Sequence, residues 1–321
     1  MNCFIFGGSG FIGSHLVSCI KEKNPSATIY NLDILESSHD NRSIFIRCDV
    51  RNSIEIDIPV STDDVIFNLA AIHRTPGHLD YEYFETNIQG SKNICAFAEK
   101  HKIQKIVFTS SIAPYGASEE LKEETTLPTP NTPYGISKLI AEKIHEVWQA
   151  SNSSRKLLIV RPGVVFGKGE NGNFTRLYWG IRKRRFFYAG RTDTIKACIY
   201  VKELVRFMLT MIDKQQARTE LFNCGFYPAY NIEQIVDAIK KVTGLKRKII
   251  KINASLLTFA ASIISALGGK KVGIHPARIK KLMISTNISS KKLASSDYRF
   301  KYTFEEALAD WYNDNNNQCL M

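Results

Sequence analysis

With 321 residues, 44% hydrophobic and 23% charged, the chain has the size and composition of a soluble globular enzyme with one large or two medium cores. Its 43 Lys+Arg against 31 Asp+Glu give +12, so an anionic partner is expected: nucleic acid, a membrane surface or a phosphorylated small molecule. Seven cysteines, an odd number with no C-x-x-C, argue against a disulfide framework or a zinc site and for reduced thiols in the cytoplasm.

The chain enters its first expected strand, Asn2–Phe6, at once, which leaves no room for a signal peptide. Cys319, third from the end, is misplaced for prenylation. The strand runs into Gly7-Gly8-Ser9-Gly10-Phe11-Ile12-Gly13, and a helix is expected over 14–23 with Leu16, Val17 and Ile20 on one side. A glycine-rich turn between strand and helix lets a pyrophosphate approach the backbone, where the helix N-terminus offers N–H groups and positive dipole. A second strand, Thr28–Leu32, ends at Asp33, twenty residues past Gly13. A carboxylate there accepts both ribose hydroxyls of an adenosine and repels a 2′-phosphate, so NAD is the expected dinucleotide.

Further strands are expected at Ser43–Arg47, Asp64–Asn68 and Lys105–Thr109, with helices near 84–101 and 134–151 and a sixth strand, Leu157–Arg161, stopped by Pro162. This alternation predicts an α/β fold, a doubly wound parallel sheet wrapped by helices. After Gly163 glycines punctuate the chain, Arg182-Lys183-Arg184-Arg185 forms a basic run, and from Asn231 the pattern is mostly helical, ending in an amphipathic piece, Phe304–Tyr312. The expected division is a dinucleotide-binding domain of residues 1–166 and 194–226, a smaller substrate domain of 167–193 and 227–312, and a disordered asparagine-rich tail, 313–321. Ala254–Leu267, the most apolar stretch, is flanked by Lys246-Arg247-Lys248 and Lys270-Lys271. It is shorter than the roughly 20 residues that span a bilayer. A buried helix is expected over a membrane-surface contact, and no integral membrane segment.

Tyr134 and Lys138 lie four apart on an expected helix and therefore share a face. A cation beside a phenol favours the phenolate, which would make Tyr134 a general base for an alcohol and, in reverse, an acid for a ketone. Ser111 follows the fifth strand at the carboxyl edge of the sheet, where open parallel sheets place ligands, and its hydroxyl can donate to the reacting oxygen. No metal site is expected.

Fingerprint, strand-end serine and Tyr-x-x-x-Lys in this order resemble the extended short-chain dehydrogenase/reductase family, in particular its nucleotide-sugar epimerase/dehydratase branch. Asp49-Val50-Arg51, Asn68-Leu69-Ala70-Ala71, Thr86-Asn87-Ile88-Gln89-Gly90 and Arg161-Pro162-Gly163-Val164-Val165-Phe166-Gly167 extend the likeness over about residues 1–310. The resemblance implies a Rossmann fold holding NAD. Gly7, Gly10, Phe11, Ile12 and Gly13 would face the pyrophosphate, Asp33 the adenine ribose, and Asp49 and Val50 the adenine. Leu69, Ala70, Ala71 and Asn87 would line the cofactor's approach, and Lys138 would bind the nicotinamide ribose. Ser111 and Tyr134 would bracket the reacting sugar carbon, while Asn171, Asn173, Lys196 and Arg278 would meet the substrate. Family members commonly pair through helices in the 84–101 and 134–151 regions, which implies a homodimer.

The sequence also departs from its relatives. Ile112-Ala113 stands where sugar dehydratases carry Asp-Glu, so dehydration is not expected. Lys196 stands where relatives have arginine, which loses a bidentate fork to a diphosphate. The implied reaction is epimerisation of a nucleotide-activated sugar, UDP-linked, through a 4-keto intermediate, in surface polysaccharide biosynthesis. The alternative is a one-way NAD(P)H-dependent reductase of 4-keto sugars, which needs the same residues. Nucleic-acid binding rests only on net charge and the run at 182–185, with no recognisable module.

Overall fold

The structure is a computed structural model that describes residues 2–36, 42–73, 77–257 and 283–321. Its centre is a seven-stranded, all-parallel sheet. The strands are β1 (Asn2–Phe6), β2 (Thr28–Asp33), β3 (Ile44–Arg47), β4 (Val65–Asn68), β5 (Lys105–Thr109), β6 (Lys156–Pro162) and β7 (Thr219–Cys224). Their order is β7-β6-β5-β4-β1-β2-β3. Parallel sheets are covered on both faces, so their strands are apolar throughout rather than alternating. β4 is buried at every position and β1 and β5 at all but their first.

The helices are α1 (Phe11–Lys23), α2 (Asp80–Phe84), α3 (Gly90–Lys100), α4 (Pro133–Ala150), α5 (Asn173–Arg182), α6 (Val201–Lys214) and α7 (Ile232–Thr243). On one face of the sheet, α1 and α6 bury Leu16, Val17, Val205 and Met208. On the other, α3 and α4 bury Ile94, Phe97, Ala141 and Trp148. A third cluster gathers Phe166, Phe174, Tyr178 and Tyr200 with Phe304 and Trp311 of the last helix, Phe304–Asp314. Ladder and helices run close to the sequence-derived spans.

Three findings extend or change the sequence reading. β7 completes the sheet beside β6 in parallel register, Leu221 opposite Ile159; its Thr-Glu start hides it from a search for β-branched runs. The loop after β5 is tied to the far end of the chain, because strand Ser118–Lys122 pairs with Thr286–Ile288. The asparagine-rich end, expected to be disordered, instead folds back: Leu320 is fully buried, and the Met321 carbonyl accepts from Trp311 Nε1 at 3.1 Å and Gly169 N at 3.2 Å. Composition suggested disorder, and one buried leucine with its backbone partners outweighs it. Of Ala254–Leu267, residues 258–267 lie outside the described residues, as does Arg278. Among the described residues, no helix is long and apolar enough to cross a membrane.

Candidate active site

The glycine-rich turn sits between β1 and α1 at the carboxyl edge of the sheet. Gly7 has φ +82°, and a Cβ there would lie 2.8 Å from Ala70 N. Only glycine lets the turn press against the Leu69–Ala70 backbone in that conformation. Gly7 N donates to Leu32 O at 2.8 Å and Leu69 N to Phe6 O at 2.9 Å, which locks three strand ends together. Gly8 lies over Asn31: a Cβ at 8 would be 2.3 Å from Asn31 Oδ1, while Asn31 Nδ2 donates to Ser9 Oγ at 3.0 Å. Gly10 is the N-cap of α1, which has no acidic residue in its first turn and Lys21 and Lys23 in its last. The free N–H groups and positive dipole of that end therefore suit an anion. Gly13 packs in the first turn against the Gly7 and Gly8 backbone. Phe11 and Ile12 pack on the third core cluster, so their side chains brace the helix.

Asp33 ends β2 facing this turn, its Oδ2 accepting from Ser9 N at 3.1 Å and its Oδ1 from Leu35 N at 3.2 Å. Each carboxylate oxygen keeps acceptor capacity beyond those bonds. Asp49 is forked by Arg51, at 2.9 Å from Nε and 2.6 Å from Nη2, and that pair holds its carboxyl below the usual range. Val50 is buried against Gly90. Ala71, like Leu69 and Ala70, is partly exposed beside the turn. Asn87 is buried, in a single π-helical turn between α2 and α3. It accepts from Ile72 N at 2.9 Å and donates to Ile72 O and to Ser137 Oγ, 3.1 and 2.9 Å away. Its amide thus holds the strand-exit loop to α4.

Ser111 and Tyr134 meet where β5 ends and α4 begins. The Ser111 hydroxyl lies near enough to the Tyr134 phenol to draw its pKa down, and Ser111 Oγ accepts from Ala113 N at 3.1 Å. Burial pushes the Tyr134 phenol up, Ser111 draws it back, and Tyr83, whose ring lies 6.2 Å away, pushes it further up. Lys138 is 2% exposed, with its ammonium 4.5 Å from the centre of the Phe108 ring. Burial pushes it down to about 7 and Glu142 resists that shift. The expected lowering of the phenol by its neighbouring cation is therefore not supplied by the protein's own groups: Tyr134 is raised.

Sequence reasoning missed what lies beneath. Glu142, one turn after Lys138, is fully buried and ion-paired with Arg161 through bonds of 2.8 and 2.6 Å, and it accepts from Ser110 Oγ at 2.5 Å. Arg161 in turn stacks on Tyr115 at 4.6 Å. His145, also buried, bonds Asn68 Nδ2 at 3.2 Å and stacks on Phe108; burial pushes it down to about 4. A carboxylate and a histidine at the helical spacing of Tyr134 and Lys138, on the apolar side of α4, was the available signal.

The expected substrate residues are less gathered. Asn171 and Asn173 are exposed at the start of α5, where Asn173 Oδ1 accepts from Arg176 at 2.9 Å. The helix end itself is held by buried Glu170, which accepts from Phe174 N and Thr175 N at 3.3 and 2.9 Å. Lys196 donates to Ile284 O at 2.8 Å, so it braces the loop crossing. Among the described residues, no group of three or more His, Cys, Asp or Glu is placed to hold a metal ion.

Residues 3–225 match the model of the NAD dependent epimerase/dehydratase family. The chain is 31% identical over 314 residues, 96% of its length and 93% of the relative's, to the N-acetyl-alpha-D-glucosaminyl-diphospho-ditrans,octacis-undecaprenol 4-epimerase of Escherichia coli O157:H7. To the UDP-glucose 4-epimerase of Lactobacillus helveticus it is 25% identical over 277 residues, 76% of this chain and 82% of that one. Among solved structures, the UDP-N-acetylglucosamine 4-epimerase from Bacillus cereus superposes with a TM-score of 0.73 at 20% identity, covering 98% of this chain and 99% of that one.

Proposed function

This chain belongs to the NAD dependent epimerase/dehydratase family, and we propose that it is a resident-NAD 4-epimerase of a sugar carried on a diphosphate. The observation that carries the reading is the Ser111 hydroxyl beside the Tyr134 phenol, with Lys138 one turn along the same helix as the tyrosine, near the glycine cradle. The cradle fits the cofactor: a Cβ at Gly7 would collide with the Ala70 backbone, and α1 presents an acid-free N-terminus. Gly7, Gly10 and Gly13 would hold the pyrophosphate and Asp33 the adenine ribose. Bound NAD would supply the acceptor and donor of hydride.

The protein's own groups handle the proton. Tyr134 Oη takes the proton of the sugar C4 hydroxyl as a 4-keto sugar forms, and returns it when the other face is reduced. Ser111 Oγ–H donates to the same oxygen, stabilising charge that grows there. Lys138, buried on the helix face that Tyr134 shares, would hold the nicotinamide ribose beside the phenol. The Glu142–Arg161 pair keeps that lysine's surroundings fixed.

For the carrier beyond the diphosphate we read a polyprenol. The relative that aligns with 96% of the chain acts, by its name, on an undecaprenyl-diphosphate sugar. The UDP-glucose 4-epimerase of Lactobacillus helveticus aligns with 76%. A UDP-sugar, the carrier expected from the sequence, is the second reading, favoured by the number of UDP-sugar epimerases that share the fold. In either case the product is an activated sugar for a glycosyl transfer reaction, consistent with a place in surface polysaccharide assembly. The test is to incubate purified protein, without added cofactor, with N-acetylglucosaminyl diphosphopolyprenol and with UDP-N-acetylglucosamine, and to separate the C4 epimers. Interconversion of either supports the epimerase, and the faster one names the carrier. Turnover of a 4-keto sugar alone, with consumption of added NADH or NADPH, would establish the reductase instead.

A further inference from the structure

Away from the residues of the candidate active site, a groove of about 420 Å³ opens between the end of α5 and the segment after α7. Arg184, Arg185, Lys246, Arg247 and Lys248 line it, and none of its ten lining residues is acidic. Among the described residues these five cations form no ion pair. Five uncompensated charges around one concavity give a strongly positive local potential. The remaining lining is apolar, and two of its side chains reach solvent: Phe187 is 36% exposed and Ile250 60%.

The groove is built in. Strands Tyr188–Ala189 and Lys251–Ile252 pair in parallel directly after its two walls, and Tyr188 N donates to Ile250 O at 2.9 Å. Arg184 holds φ +58°, a conformation a long side chain seldom adopts, where the chain turns out of α5. Cations beside exposed aliphatic and aromatic side chains form the amphipathic pattern that binds at a bilayer interface, charge to headgroup and apolar side chain to acyl boundary. A single-stranded nucleic acid would use the charge and a stacking ring, but it leaves Ile250 without a partner.

We propose that this groove seats the anionic headgroups of a phospholipid bilayer, with Phe187 and Ile250 entering the acyl boundary. The proposal rests on the polyprenol reading of the carrier: a substrate whose tail stays in the membrane requires an enzyme that works at its surface.

The test is co-sedimentation of the full chain with vesicles of phosphatidylglycerol mixed with phosphatidylcholine, and of phosphatidylcholine alone. Binding is expected to the anionic vesicles only and to weaken with salt. Each cation lost should lower the partition about five-fold, so the double variant Arg184→Glu/Lys248→Glu should bind more than ten-fold more weakly at an unchanged melting temperature. Phe187→Ser should weaken binding without altering its salt dependence. Equal binding to neutral vesicles, no binding to anionic ones, or displacement from them by a short RNA would overturn the proposal. Vesicle binding needs no turnover, so its failure is separable from that of the functional reading. Binding without epimerase activity would remove the activity alone, and activity without binding would remove the groove's role.

Discussion

The hydroxyls of Ser111 and Tyr134 approach each other across the junction of β5 and α4, and the serine draws the phenol's pKa down. Two hydroxyls that converge this way can share one substrate oxygen, one moving its proton and the other donating to it. Tyr134→Phe is expected to lower turnover by about 10²–10⁴ with unaltered cofactor content. Ser111→Ala removes the hydroxyl that draws the phenol's pKa down, so the ascending limb of the pH–rate profile, along which the base ionises, should move to higher pH. An unmoved limb would detach Ser111 from the tyrosine's ionisation.

Lys138 carries a stability prediction with a definite sign. Its folded pKa of about 7 lies below the ordinary 10.5, so between those values the unfolded chain binds the proton that the native one has shed. Stability contributed here therefore rises with pH across that window, and the cost of burying the ammonium is complete below it. Lys138→Met should stabilise the fold most below about pH 7, by an amount on the order of a few kcal/mol, with the gain fading toward pH 10. Melts of both proteins across that range decide it, and a gain constant with pH would contradict the assignment.

Removing one partner of the buried Glu142–Arg161 pair leaves the other charge stranded. Arg161→Met should cost about 3–5 kcal/mol in a denaturant titration. The double variant with Glu142→Met should recover part of that loss, because neither member of the pair is then left buried without the other. If the single and double variants unfold alike, the pair is not what stabilises this layer.

Asp33 already orients on Ser9 N and Leu35 N, and a 2′-phosphate would have to approach that carboxylate. NAD is expected to bind more tightly than NADP, and Asp33→Asn to narrow the gap. Calorimetric titration of cofactor-stripped protein measures both, and tighter NADP binding to the unaltered chain would refute the role.

Leu320 is fully buried at a chain end that composition marked as disordered. Leu320→Ala should cost about 2–5 kcal/mol, well above the near-zero effect of trimming a free tail. A thermal melt reads the difference.

The sheet was legible because six of its strands are short apolar runs spaced by helical periods, and the glycine turn declares itself by its place between one of each. Ser111, Tyr134 and Lys138 were legible as a spacing, and the structure brings the first two into contact. The bond of the Lys196 ammonium to Ile284 O, 88 positions away, was not legible, because sequence reports only that a lysine is present. Asn87 was legible as a motif, but only geometry shows its buried amide bonded to Ile72 and Ser137. Glu142 escaped because a lone glutamate in a helix usually faces water, and its burial depends on Arg161 arriving from β6.

The seating of Gly8 over Asn31 also ties two positions together in heredity. A methyl group at 8 would fall 2.3 Å from Asn31 Oδ1, so Gly8→Ala should be harmful alone and tolerated when position 31 shrinks to alanine. Through descent the two sites are then free to drift only as a couple. A lineage that has traded glycine for alanine at the first should carry a smaller residue at the second, 23 positions further on.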